Sequence, residues 1–420
     1  MNKRDFIKRL SGAGLLTTGF LGQIENLIAG VAHRPAPELA ADEDFWAKVR
    51  SGYRLKPDYI NLENGYYCIM PQQIQDRFIE RVKEVNFQGA WYMRNHRFPD
   101  NIEIRKKLAV LIGCSTEEVI LTRNTTESLD TVISGYDWRP TDEAVMAIQD
   151  YGAMLDMFKY QARRFGLVNK RVSVPLHPAN DEEIVSLYEN AITPRTRLLM
   201  VCHMINITGQ ILPVRKIADM AHRHGVDVLV DGAHCVGHFE YQVPELHADY
   251  YGSSLHKWMS VPLGAGLLYV KKDKIQKLWP LFGETHFSDD DIRKLNHTGT
   301  CPVHTDLAVQ DAIEFYELIG PARKEARLRY LQNYWTSQVR SLSHIDLNTP
   351  ADPARACGIA NVGVKGMKPA DLAKTLLNKY GIYTVAIDYA NVHGCRITPN
   401  VYTSTAELDV FIAALKEMKS

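Results

Sequence analysis

Short apolar runs alternate with helical patterns through the middle of this chain, and this alternation restricts the fold more than any other feature. The runs lie at residues 119–121, 144–148, 172–175, 197–202, 226–230 and 264–270. They lack regularly spaced polar positions, so they predict strands that are covered on both faces. Strands that alternate with helices are typical of a mostly parallel sheet with helices on each side. We therefore expect an α/β fold.

Length and charge narrow the range of partners. A chain of 420 residues exceeds the usual size of one hydrophobic core. Lys plus Arg and Asp plus Glu are equal at 49 each, so no basic field attracts a nucleic acid or an anionic membrane surface. The seven cysteines are scattered singly, which disfavours a disulfide framework or a zinc finger. We expect no nucleic-acid partner and no membrane insertion.

The chain is predicted to divide into an N-terminal extension and two domains. A helical pattern at 307–319 leads into a compact α+β pattern, with extended segments at 359–364, 382–387 and 394–397 and helices at 369–380 and 405–418. The predicted units are a signal peptide at 1–32, an N-terminal segment at 33–69, a large domain at 70–304 and a small C-terminal domain at 305–420.

The N-terminus has the pattern of an export signal. Basic residues at 3–9 precede a weakly apolar, glycine-containing run at 11–22, and small residues at 29–32 suit cleavage. The segment resembles a twin-arginine signal in which Lys3 replaces the first arginine. It predicts a periplasmic protein that is exported in the folded state. The alternative is an amphipathic N-terminal arm on a cytoplasmic protein.

Two residues, each of which closes a stretch that predicts a buried strand, carry the clearest chemical signal. Asp231 ends the run at 226–230, and Lys257 closes the segment Ser-Ser-Leu-His-Lys. A lysine amine at a strand end can form a Schiff base with an aldehyde cofactor, and a buried carboxylate can keep a pyridine nitrogen protonated. This pair predicts pyridoxal 5′-phosphate (PLP) as cofactor. The alternative for Lys257 is an ordinary surface lysine.

A metal site is the alternative for the histidines near Asp231. Four candidate ligands are close in sequence: Asp231, His234, His238 and Glu240. Their spacing follows a turn and matches no known ligand pattern, and no second cluster completes it. We therefore predict no metal. We expect His234 to hydrogen-bond the phenolic oxygen of the cofactor or the carbonyl groups around it.

The phosphate of such a cofactor needs its own binding site. Asn124, Thr125 and Thr126 follow the run at 119–121 and open a helix, so their N–H groups and hydroxyls are expected to face an anion. Ser254 is expected to add a donor. The alternative for this segment is a simple helix N-cap.

Three further residues are candidates for holding the cofactor ring and the substrate. Tyr151, just after the run at 144–148, is the best candidate to stack on the ring. Asn206 can donate to a cofactor oxygen or to a substrate carboxylate. Arg396 offers a two-pronged donor for that carboxylate, although one arginine on an edge strand is also ordinary surface.

Four motifs occur in the order found in one known family. N-T-T-E-S-L begins at Asn124, D-G-A-H at Asp231, S-x-H-K at Ser254 and R-I-T-P at Arg396. Together they resemble the class V aminotransferases of PLP fold-type I, over roughly residues 55 to 415. The resemblance implies a large domain with a mostly parallel seven-stranded sheet and a smaller α+β C-terminal domain.

The resemblance also implies roles for individual residues. Lys257, Asp231 and His234 are implied to be catalytic. Thr300 matches the segment with which a neighbouring subunit touches the phosphate, so a homodimer with shared sites is implied. Together with the residues singled out above from the sequence itself, the predicted cofactor-binding set is Thr125, Thr126, Tyr151, Asn206, Asp231, His234, Ser254, His256, Lys257 and Thr300, and the predicted substrate-binding set is Arg396, Asn64 and Tyr66.

One departure from the family narrows the expected reaction. Cysteine desulfurases carry a cysteine in the loop before the final arginine, whereas residues 384–391 contain none. The chain therefore looks most similar to the isopenicillin N epimerase-like branch. The expected function is transamination or epimerisation, through a Lys257 Schiff base, of an amino acid or amino-acid-like substrate, peptidic ones included. The alternatives are a C–S or other β/γ-lyase and a catalytically idle, exported PLP-fold binding protein.

Overall fold

A computed structural model describes residues 17–418, so the basic segment at 3–9 and the start of the apolar run at 11–22 lie outside the described residues. The helices are α1 Thr17–Gly30, α2 Ala36–Ala40, α3 Glu43–Arg50, α4 Gln72–Gln88, α5 Ala90–Asn95, α6 Arg97–Ile112, α7 Thr125–Gly135, α8 Gly152–Phe165, α9 Asp181–Glu189, α10 Val214–Arg223, α11 Val303–Ile319, α12 Pro321–Val339, α13 Pro369–Tyr380 and α14 Thr405–Glu417. The strands are β1 Ile60–Asn61, β2 Val119–Thr122, β3 Glu143–Ala147, β4 Val168–Val172, β5 Thr196–Cys202, β6 Asp227–Asp231, β7 Tyr250–Ser254, β8 Gly266–Val270, β9 Ile345–Leu347, β10 Ala360–Val364, β11 Ile382–Tyr383, β12 Val385–Tyr389 and β13 Val392–Ile397.

The large sheet has seven strands in the order β2-β8-β7-β6-β5-β3-β4. Strands β4, β3, β5, β6 and β7 run parallel to one another, and β8 runs antiparallel to both of its neighbours. Every residue of β6, β7 and β8 is buried, which explains the apolar runs of β6 and β8. Strand β7 contains a glycine and two serines and is not among the predicted runs. The expectation of an α/β fold with a mostly parallel sheet is confirmed.

Two predicted strands differ from the observed ones. The strand expected at 172–175 is β4, which begins earlier, at Val168. It is the edge strand of the sheet and has exposed and polar side chains, so a search for apolar runs does not detect its first residues. The segment expected at 382–387 is two strands. β11 pairs with β1 and β12 pairs with β13, because the chain changes partner between them at Thr384.

A second, antiparallel sheet follows in the C-terminal part, in the order β12-β13-β10-β9. It packs on its own apolar cluster, in which Trp335 and Phe411 are fully buried. Leu62 from the N-terminal segment belongs to the same cluster, and β1 pairs parallel with β11. Residues just after β1 are thereby held beside the end of β13.

Helix α1 packs onto the protein. Ile24 is 1% exposed and lies in the main apolar cluster, and Leu27 and Ile28 pack against it. Among the helices of residues 17–418, none is both long enough and apolar enough to cross a bilayer.

One close approach in the large sheet positions the start of α7. A Cβ atom on Gly266 of β8 would lie 2.7 Å from the Cα atom of Asn124 and 2.8 Å from its backbone nitrogen. Only glycine leaves room for this backbone approach, because the obstacle is main chain and not a movable side chain. Asn124 and the N-terminus of α7 therefore sit directly on the sheet.

Candidate active site

A cavity of about 310 Å³ opens where β2, β5, β6 and β7 end. This is the edge of a parallel sheet at which ligands bind in α/β proteins. Most of the residues predicted from the sequence line it together: Tyr66, Thr125, Thr126, Tyr151, Asn206, Asp231, His234, Ser254, His256, Lys257 and Arg396.

Two predicted residues do not line the cavity. The Asn64 side chain is fully buried; its amide nitrogen donates to the Thr398 carbonyl (2.7 Å) and its oxygen accepts from the Tyr402 hydroxyl (2.6 Å). With its polar atoms bonded inside the protein, Asn64 holds the loop after β1 in place and does not face a substrate, so the sequence-based role is corrected. Thr300 lies exposed on the surface, away from the cavity.

The Lys257 amine is buried in the cavity wall. Its Nζ atom lies 3.0 Å from Nε2 of His234. Burial lowers the pKa of Lys257 to about 8; the negative charge of Asp231 opposes this shift and the positive charge of Arg396 adds to it. The amine is therefore much closer to its neutral, nucleophilic form at physiological pH than an exposed lysine.

The residue after the lysine sets the proton position on His234. The indole Nε1–H of Trp258 points to Nδ1 of His234 at 3.4 Å, and an indole can only donate. We assign the His234 proton to Nε2, which then donates to the neutral Lys257 amine. Burial lowers the pKa of His234 well below its ordinary value, in keeping with a neutral ring.

His238 supports this arrangement and is not free to bind a metal. Its ring stacks on Trp258 with centroids 3.7 Å apart. Nδ1 contacts the His234 carbonyl at 2.7 Å and Nε2 accepts the Gly358 N–H at 2.8 Å, so both ring nitrogens are in use. Within residues 17–418, no three His, Cys, Asp or Glu side chains form a group suited to a metal ion.

Asp231 presents one carboxylate oxygen to the cavity. Oδ1 accepts the Ala233 N–H at 3.0 Å, and within the described part of the chain no protein donor bonds to Oδ2. Burial raises the pKa of Asp231, while the Ala233 N–H and the Lys257 charge oppose the shift. A buried carboxylate with an unused oxygen fits the protonated nitrogen of a pyridine ring.

The start of α7 forms an anion site. Asn124 caps the helix by accepting the Glu127 N–H at 2.9 Å, so the simple-cap interpretation is true of Asn124. Thr125 and Ser254 join their hydroxyls at 2.7 Å across the cavity floor, and Thr126 also lines the cavity. Hydroxyls beside a helix N-terminus fit a phosphate group. The residues at both ends of the cavity thus suit PLP.

Arg396 lines the cavity with a carboxylate partner from its own chain. Its Nη2 and Nε atoms donate to Glu63 at 2.5 and 3.2 Å, and both side chains are less than a tenth exposed. The guanidinium rests on Gly65, where a Cβ atom would lie 2.8 Å from its central carbon. Glu63, Gly65 and Trp258 were not predicted from the sequence as site residues. The one local feature that could have indicated a site is the charged residue Glu63 just after the short strand β1.

The sequence matches the family model described as Aminotransferase class-V over residues 70–403. The chain belongs to this family. It is 27% identical over 397 residues to an isopenicillin N epimerase of Amycolatopsis lactamdurans, covering 89% of this chain and 98% of that relative. It is 30% identical over 291 residues to a probable cysteine desulfurase of Halalkalibacterium halodurans, covering 66% of this chain and 70% of that relative.

Solved structures show the same fold. An apo cysteine desulfurase from Thermococcus onnurineus NA1 superimposes with a TM-score of 0.78 at 23% identity, covering 89% of this chain and 97% of that chain. A lysine-to-alanine mutant of C-DES with glycine covalently linked to the PLP cofactor gives 0.80 at 21% identity, covering 88% and 99%. The expectation of PLP fold-type I is confirmed for this class V member.

The depressed pKa of Lys257 predicts how the apoprotein takes up PLP. The rate of imine formation, followed by absorbance, should rise with pH through an inflection near 8 instead of near the ordinary lysine value of 10.5, because only the neutral amine attacks the aldehyde. Lys257→Arg should bind PLP without developing the imine band. An inflection above pH 10 in the wild-type protein would contradict the buried, depressed amine.

Proposed function

We propose that this protein is a PLP-dependent enzyme that transaminates or epimerises an amino acid or amino-acid-like substrate, peptidic ones included. PLP is the cofactor of this site. The observation that carries the proposal is that the buried amine of Lys257, whose pKa is lowered to about 8, and Oδ2 of Asp231, to which no donor among the described residues bonds, face one cavity that also contains the anion site at the start of α7. The class V family and the isopenicillin N epimerase relatives support it.

Each residue has a task that follows from its position. Bound PLP supplies an aldehyde that captures an amine and a ring that accepts the electron pair left when the Cα proton departs. Lys257, once a substrate amine had replaced it, would take that proton as the neutral amine. Asp231 would keep the ring nitrogen protonated, and His234 would present Nε2–H toward the reacting end. Tyr151, which lines the cavity, would cover the ring.

Tyr66 is our candidate for a second proton donor. Its side chain lines the cavity and is 77% exposed, so it can approach a substrate from the solvent side. Epimerisation needs a donor on the face opposite Lys257, whereas transamination returns the proton to the cofactor carbon. Tyr66→Phe should therefore reduce epimerisation more than transamination.

A lyase outcome is the second candidate, because cysteine desulfurases are among the relatives. A desulfurase needs a reactive thiol to receive sulfur. Cys202 lines the cavity, but burial raises its pKa well above the ordinary value and its thiol donates to Asp150 at 3.2 Å. Cys395 is buried in the small sheet. These thiols favour Cα chemistry over sulfur transfer.

Exchange of the Cα proton with deuterated solvent tests the proposed function across a panel of amino acids and peptides. The PLP-loaded wild-type protein should exchange the proton of its substrate, and Lys257→Ala should lower the exchange rate by roughly a hundredfold or more, since it removes the general base. Lys257→Arg keeps the charge but not the base and should be similarly slow. Substrate binding without exchange by the wild-type protein would favour the idle binding protein.

We also propose a homodimer in which Thr300 reaches the neighbouring site. Three aromatic side chains on consecutive helices are far more exposed than a monomer requires: Phe87 at 91%, Trp91 at 66% and Phe98 at 64%. Arg97, next to Phe98, donates to the Gly299 carbonyl at 3.0 Å, so this apolar surface adjoins Thr300. A second copy would cover the aromatics and bring Thr300 to a phosphate.

Subunit mixing tests the shared site. Lys257→Ala and Thr300→Asp should each fail to form the imine band alone, because one lacks the amine and the other places a negative charge beside the phosphate. Co-expressed, they should regain roughly a quarter of the wild-type band, since random pairing makes half the dimers mixed and each mixed dimer has one intact site. Recovery near zero, or a monomer in analytical ultracentrifugation, would contradict the proposal.

We further propose export to the periplasm through the signal at 1–32, which rests on its basic and apolar segments. Full-length protein expressed in a bacterial host should appear in the periplasmic fraction, and replacing Lys3 and Arg4 by glutamine should retain it in the cytoplasm. Wild-type protein found only in the cytoplasm would contradict export. In that case α1 remains part of the fold through Ile24.

A further inference from the structure

The strongest unexplained feature of the cavity is that its arginine is already neutralised. Arg396 is the positive group expected to receive a substrate carboxylate. Glu63 occupies the Nε and Nη2 side of its guanidinium with two hydrogen bonds. The receptor therefore carries no net charge before any substrate arrives.

Glu63 is held in place and does not swing freely. Its Oε1 atom also accepts the Tyr66 N–H at 2.9 Å, and its own N–H donates to the Asn61 side chain at 3.0 Å. The next two backbone N–H groups, of Asn64 and Gly65, both donate to the Thr398 hydroxyl, at 2.6 and 3.1 Å. Turning the Glu63 side chain aside would break its two bonds to Arg396 and its bond to the Tyr66 N–H, and the bonds to Thr398 keep the backbone of this segment from moving, so the ion pair is expected to persist in the substrate complex.

The opposite edge of the guanidinium remains available. Nη1 has one long contact, to the Asn206 carbonyl at 3.4 Å, and Asn206 itself lines the cavity. The Nη1 edge is directed toward Asn206, a residue that lines the cavity, and the guanidinium lies against Gly65. A substrate carbonyl oxygen can accept from Nη1 there.

The charge of the substrate group determines whether it can bind at the Nη1 edge of Arg396. A free carboxylate would bring a second negative charge close to the buried Glu63 carboxylate, and like charges in a poorly solvated site repel strongly. An amide carbonyl accepts the same hydrogen bond without that repulsion.

We propose that Glu63 is a specificity-determining residue that selects substrates whose carbonyl group next to the reacting carbon is uncharged, as in an amide-linked residue, over free α-amino acids. This inference rests on the proposed function, because it concerns the substrate of that same site. It names amino-acid amides and residues linked through their α-carbonyl as the preferred class.

Matched ligand pairs test the proposal directly. Alanine, leucine and glutamate are titrated into the PLP-loaded protein beside their α-amides, and the dissociation constant of each comes from the change in the cofactor absorbance. In the wild-type protein the amide should bind at least as tightly as the free acid in each pair. In Glu63→Gln the free acids should bind at least about tenfold tighter than before, while the amides change less than about threefold.

Glu63→Asp is the matched control, because it keeps the charge and should keep the wild-type preference. The ratio within a pair, compared between proteins, cancels general damage to the site. The proposal is overturned if the wild-type protein binds the free acids more tightly than the amides, a result that needs no variant to fold. It is also overturned if Glu63→Gln leaves the ratio unchanged.

The same titrations distinguish a failure of the proposed function from a failure of the role of Glu63. A protein that forms the imine band but responds to no amine of either type contradicts the proposed function. A protein that responds to both types with a carboxylate preference contradicts only the role of Glu63.

Discussion

The burial of one amine is the constraint on which the rest of this site depends. Lys257 lies at the end of the central strands, where no water shell stabilises its charge, and burial moves its pKa to about 8. The neighbouring groups are consistent with a neutral amine. Trp258 leaves the His234 proton on the side facing Lys257, and Asp231 keeps an oxygen for a ring nitrogen instead of pairing closely with the amine.

The site is assembled from two units of the chain that contribute different functions. The large sheet supplies the lysine, the carboxylate and the anion site. The segment after β1, held by β11 and by Thr398, supplies Glu63 and Gly65 to the guanidinium of Arg396. The first unit has the features that suit PLP, and we propose that Glu63 of the second unit selects the kind of substrate.

Most of the fold could be predicted because the strands of a sheet covered on both faces are apolar throughout. β6 and β8 were located to within two residues, and helix α13 was located at its observed bounds. β4 was displaced because an edge strand keeps polar side chains in solvent, and β11 was merged with β12 because a change of pairing partner leaves no mark on hydropathy. Both errors concern strands whose bounds depend on which other strand they pair with, and the local sequence does not specify that partner.

The sequence by itself indicated that Asp231 ends an apolar run and that Thr125 opens a helix, because apolar runs and helix starts are local patterns, whereas the adjacency of β6 and β7, which brings Asp231 and Lys257 together, is decided by strand pairing in the tertiary structure. Only the tertiary structure decided that Asn64 is a structural residue, that Trp258 orients His234 and that Glu63 neutralises Arg396. Glu63 and Arg396 are 333 positions apart in the chain. No local sequence pattern around either residue indicates the other as its partner. The pair forms only when the two distant segments pack against each other in the folded protein.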